Sequence, residues 1–153
     1  MNMVFVIIGG GTGALLRYCS TQIVNNIFTN KFTLGTIFVN CIGAFLIGFL
    51  MNFFDIEHSK WKLLIITGFL GGYTTFSAYS YETVNYFISG NIKYAVINIL
   101  VSNVLCIAFV ILGLWINSVV VSKWIKGQVH SLKRQVLPFE SLLEASVLVG
   151  IIS

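Results

Sequence analysis

A chain of 153 residues that is 57% apolar and 9% charged, with one proline and a mean hydropathy of +0.91, does not fit a soluble domain of this size. The formal charge of +4 comes largely from Lys123, Lys126, Lys133 and Arg134, beyond the last long apolar stretch, so it marks a membrane-proximal end and excludes a nucleic-acid surface. Cys19, Cys41 and Cys106 fall in separate apolar segments without the paired spacing of metal sites or disulfide scaffolds, and read as reduced packing residues.

Stretches 1–16, 32–54, 63–81 and 94–122 carry no Asp, Glu, Lys or Arg, and each approaches or exceeds the ~20 residues a spanning helix needs. These stretches predict an all-α membrane protein with one four-helix domain, residues 1–121, and helices over about 3–27, 33–54, 62–88 and 92–121. Residues 122–153 form a basic tail, interfacial or disordered, with an amphipathic stretch from Phe139 to Leu148. The first helix is read as retained, because no basic region precedes it and no small-residue cleavage site follows before Arg17.

Helix one carries Gly9, Gly10, Gly11, Gly13 and Ala14, and helix two carries Gly43, Ala44 and Gly48, small residues that let backbones approach closely. Residues 9–14 also satisfy the dinucleotide pattern Gly-x-Gly-x-x-Ala. No strand and no acidic residue about 20 positions on accompany it, since the first acid is Asp55, and the nucleotide reading is rejected. Arg17 is the one formal charge well inside helix one, and is read as structural, anion-attracting or snorkelling.

On helix two, Thr36 and Asn40 stand four apart. So do Asn98, Ser102 and Cys106 on helix four, each set forming a polar stripe that lines something wet or joins helices. Asn40 and Ser102 offer neutral donors that can hold an anion without trapping it. Helix three is interrupted within the segment Gly68 to Glu82, where a glycine pair and hydroxyl-bearing residues sit in an otherwise apolar run. An irregular turn at membrane depth survives only where protein, water or an ion meets the freed backbone groups, which marks a permeation or ion site. After the interruption Phe76 and Tyr79 share a face with Glu82, and a ring edge can favour a small anion. His58 and His130 lack partners at ligand spacing and read as solvated.

Three segments carry a family resemblance: Gly9 to Tyr18, Gly35-Thr36-Ile37-Phe38-Val39-Asn40, and Gly68 to Ser77. In order and on the expected helices they resemble the signatures of the Fluc (CrcB) fluoride channels, and the similarity runs from about residue 5 to 120. The resemblance implies an antiparallel, dual-topology homodimer with fluoride pathways along its interface, in the cell membrane as a multi-pass protein. It implies a structural sodium ion held at the crossing of the broken helices by backbone carbonyls, here those of Gly71 and Thr74. It places the pathway on Asn40, Phe76 and Tyr79, and the helix-four polar track on Asn98, Ser102 and Cys106, whose thiol is a weak donor; Thr36, on the stripe of Asn40, is read as part of the same pathway. A second phenylalanine is the family pattern where this chain has Tyr79. Glu82 matches an acidic position near the pore mouth and is not read as a fluoride ligand.

The implied function is passive fluoride export and no enzymatic activity. The alternative is a small dual-topology four-helix proton-coupled exporter, which requires a membrane-embedded carboxylate; a third reading is a non-transporting structural partner. Lys60, Lys62, Lys123, Lys126, Lys133 and Arg134 against Lys31 and Lys93 favour cytoplasmic termini. A firm bias of that kind implies an oppositely oriented homologous subunit in place of the homodimer.

Overall fold

The computed structural model describes residues 2–28, 32–51 and 60–152, with side chains described as far as Gln128. Lys31, Asp55 and His58 lie outside the described residues, and the side chains of His130, Lys133, Arg134 and Phe139 to Leu148 lie outside the described side chains. Every described element is helical. Helix α1 spans Asn2–Ile27 and α2 spans Leu34–Leu50. A short helix α3 (Lys60–Lys62) runs directly into a π-helical segment, Leu63–Leu70, and then into α4 (Gly71–Tyr73). Two extended residues, Thr74 and Thr75, precede α5 (Phe76–Ile88). After a turn in which Gly90 takes φ +72°, helical conformation resumes as α6 (Ile92–Ile152).

At 26 residues α1 is about 39 Å long, more than a hydrocarbon core of ~30 Å, and Ile92–Gln128 is longer still. Both are apolar enough to cross a membrane; α2 is apolar and shorter, at 17 residues. Large apolar side chains are exposed along them, with Ile7, Leu15, Val104 and Ile107 each more than 60% accessible. Such faces are unfavourable in water and suited to lipid. The chain divides into two units, Met1–Asn117 and Ser118–Ser153.

In the first unit the packing seams are made by glycine. Helix α1 packs most extensively against the π-helical segment and α4. A Cβ on Gly9 would strike the Leu64 carbonyl, one on Gly13 the Phe69 carbonyl and one on Gly72 the Gly10 carbonyl, so the two backbones touch directly. A second seam joins α2 to α6, where added Cβ atoms on Gly48 and Gly113 would strike the carbonyls of Val110 and Phe45. Asn117 closes its end by donating to the Phe49 carbonyl at 2.8 Å. This is the close approach that small residues permit between helices in lipid.

Candidate functional site

The interruption falls on Thr74 and Thr75 and not on the glycine pair, which stays helical. The local chemistry explains why. The Thr74 N–H and hydroxyl both donate to the Leu70 carbonyl at 3.0 Å, ending the ladder there. Thr75 is extended, at φ −149° and ψ 114°, and its Oγ1 accepts from the Ala78 N–H at 3.2 Å as the N-cap of α5. A β-branched hydroxyl residue is well suited to this role because its side chain competes with the helical ladder.

Asn40, on α2, then fixes the interrupted backbone. Its Oδ1 accepts from the Thr75 N–H at 2.7 Å and its Nδ2 donates to the Thr75 carbonyl at 3.0 Å. In an unbroken helix the N–H of residue 75 would satisfy the carbonyl of Gly71, and that of residue 78 the carbonyl of Thr74. Asn40 takes the first N–H and the Thr75 side chain takes the second. The carbonyls of Gly71 and Thr74 are therefore both relieved of their ladder donors, Thr74 being itself one of the two extended residues, and carbonyl oxygens are the donor type that suits a hard cation. Gly43 lies beside this turn, where a Cβ would meet the Thr74 methyl.

The polar residues of α2, α5 and α6 are brought together as a network. Thr36, almost fully buried, donates to Glu82 Oε1 at 2.5 Å, while Glu82 Oε2 is buried with no hydrogen-bond partner. Ser102 donates to Asn98 Oδ1 at 3.3 Å, Asn98 Nδ2 donates to Thr83 Oγ1 at 2.9 Å, and Thr83 donates to the Tyr79 carbonyl at 2.8 Å. Asn98, braced by Ser102 on its own helix, thus joins α6 to α5. Beside Glu82 opens a polar recess of about 470 Å³, lined also by Thr33, Asn85, Tyr86, Ser89 and Asn91.

Phe76 and Tyr79 stand one turn apart on α5, with ring centroids 5.3 Å apart and planes tilted by 48°. Phe76 is 78% exposed. The Tyr79 hydroxyl meets Asn103 of α6. Arg17 is half-buried on α1. Of the cysteines, Cys41 and Cys106 are free thiols that hydrogen-bond to each other between α2 and α6, and Cys19 is exposed. Sequence spacing did not reveal Thr75, Thr83 or Asn103 as members of the site. Thr75 was legible only as a hydroxyl residue of the interrupted segment, Thr83 carries no signal in its spacing, and Asn103 lies one residue off the stripe of Asn98 and Ser102.

Long apolar helices with exposed apolar faces, and an interrupted helix stabilised by neutral polar groups, define an all-helical membrane protein. The family described as "CrcB-like protein, Camphor Resistance (CrcB)" matches residues 4–114, and the chain belongs to it. It is 40% identical over 116 residues to a protein of Ruminiclostridium cellulolyticum named "Fluoride-specific ion channel FluC", covering 74% of this chain and 89% of that one. Proteins of the same name from Coxiella burnetii and Campylobacter fetus are 38% and 44% identical, over 76% and 72% of this chain and 98% and 89% of theirs.

Proposed function

We propose that this chain is a fluoride-selective channel through which fluoride leaves the cell passively, lowering its cytoplasmic concentration. The observation that carries this reading is the alignment with relatives named fluoride-specific ion channels over 89–98% of their length. It takes in the interrupted helix and the Asn40 clamp. No catalytic step is involved. A negative-inside potential drives the anion outward, at about 2.3 kcal/mol per charge per 100 mV. The exporter alternative is not favoured by the names of the relatives.

In this reading the chain crosses the cell membrane four times, through α1, α2, the interrupted helix from α3 to α5, and the Ile92–Asn117 part of α6. It assembles as an antiparallel homodimer, or with an oppositely oriented homologous subunit. The freed carbonyls of Gly71 and Thr74 would hold a structural sodium ion, whose positive charge would take the place of the donors these oxygens lack. The fit is good because these oxygens have lost their ladder donors to Asn40 and Thr75.

Fluoride must exchange its water for protein donors. Asn40 Nδ2 carries two N–H groups and Thr75 takes one, leaving the other for the anion. Ser102 can exchange its long 3.3 Å bond to Asn98 for a bond to fluoride. The ring edges of Phe76 and Tyr79 supply weaker positive potential. Thr36 and Asn98 hold the polar track in register through Glu82 and Thr83. Arg17 contributes long-range attraction for anions.

Purified protein reconstituted into fluoride-loaded liposomes is expected to release fluoride, read by a fluoride electrode, while chloride-loaded vesicles retain their content. Retention of both ions would sink the channel reading. Phe76→Ile is expected to abolish the flux while the protein keeps its wild-type elution volume, since the ring is largely exposed and its loss leaves the fold intact. Undiminished flux in that variant would remove the ring from the mechanism.

A further inference from the structure

Within the channel reading, on which this inference rests, we propose that Asn103 is the positioning residue for the Tyr79 hydroxyl, setting it as a hydrogen-bond donor to the permeating anion. The argument starts from the amide of Asn103. Its Nδ2 lies 2.7 Å from the Ile99 carbonyl and 3.1 Å from Tyr79 Oη. A carbonyl oxygen can only accept, so this atom is the amide nitrogen and not the oxygen. An amide nitrogen carries two protons and accepts none. One proton therefore goes to Ile99 and the other to Tyr79, whose oxygen is the acceptor in that contact.

The consequence concerns the phenol's own proton. It cannot be spent on Asn103, and receiving a hydrogen bond polarises the O–H group so that it donates more strongly. Fluoride is a small, charge-dense acceptor, and an O–H donor to an anion makes a bond about twice as strong as a neutral pair. Tyr79 is packed on Phe76 at 5.3 Å, which places the ring within the aromatic pair assigned to the pathway. A phenylalanine at residue 79 would offer only a ring edge. In this chain the hydroxyl and the Asn103 amide form a two-residue device in which α6 orients a donor carried by α5.

The test is fluoride efflux from liposomes containing wild type, Tyr79→Phe, Asn103→Leu and the double variant, each checked for its elution volume. Asn103→Leu keeps the branching at Cγ and removes both donors, at an exposed position where the larger methyl groups have room. Tyr79→Phe and Asn103→Leu are each expected to slow efflux by about tenfold, the scale of one hydrogen bond to an ion. The double variant is expected to be no slower than Tyr79→Phe alone, because Asn103 acts only through the hydroxyl. Multiplied losses in the double variant would overturn the proposal, as would a normal rate in either single variant. Absence of efflux from wild type would instead overturn the channel reading itself, so the two failures are distinguishable.

Discussion

Asn40 engages one buried residue with both polar atoms of its amide, and this double contact is what holds the interruption in its observed form. Losing a donor to the Thr75 carbonyl, in a residue only 7% exposed, leaves an acceptor without its partner at a cost of about 1–3 kcal/mol. Asn40→Asp tests this without changing size. The carboxylate still accepts from the Thr75 N–H, but its second oxygen faces the carbonyl, so a donor–acceptor contact becomes a repulsion. The detergent-solubilised variant is expected to be about 2 kcal/mol less stable than wild type in thermal unfolding. Wild-type melting would remove Asn40 as the clamp. The sequence placed Asn40 on a polar face of its helix, and that much was legible from its spacing to Thr36. Its partner was not, because the Thr75 backbone lies 35 residues away and the contact depends on where the later helix breaks.

At the scale of elements, helix existence was legible where hydropathy decides it. Residues 3–27, expected as the first span, lie in α1 at Asn2–Ile27, whereas the fourth helix, expected over 92–121 before an interfacial or disordered tail, is helical from Ile92 to Ile152. The interruption was legible in composition and not in position, since glycine and threonine both disfavour a helix and only tertiary contacts decide between them. Here the glycines serve close approach, and the threonines, with their competing hydroxyls, make the break. The same division runs through residues 9–13, which read as four equivalent packing glycines. A Cβ at Gly13 would strike the Phe69 carbonyl, whereas one at Gly11 meets nothing within 4 Å. Gly13→Ala is therefore expected to lower stability by about 1–3 kcal/mol through overpacking. Gly11→Ala is expected to raise it by about 0.5–1 kcal/mol through helix propensity. Paired thermal melts check both signs, and equal shifts would contradict the backbone contact between α1 and the π-helical segment.

At the scale of the whole molecule, the question is whether one chain inserts in both orientations. Basic residues set orientation through short loops. Lys60 and Lys62 lie at one end of the interrupted helix and Lys93 follows the turn at its other end, so within Met1–Asn117 the described basic residues differ little between the two sides. The larger bias comes from Lys123 and Lys126, with Lys133 and Arg134, in the second unit. If the short loops dominate insertion, both orientations are populated and a single chain can build the antiparallel dimer. The turn at Asn91 offers a reporter, since its side chain is exposed and distant in sequence from the clamp. In spheroplasts expressing Asn91→Cys, a membrane-impermeant maleimide is expected to label about half of the chains, and all of them after lysis, as dual insertion requires. The parent chain, with its own exposed Cys19, supplies the blank. Complete labelling before lysis, or none, would show one fixed orientation. The second unit would then be setting topology, and the antiparallel assembly would require a separate chain of opposite charge bias.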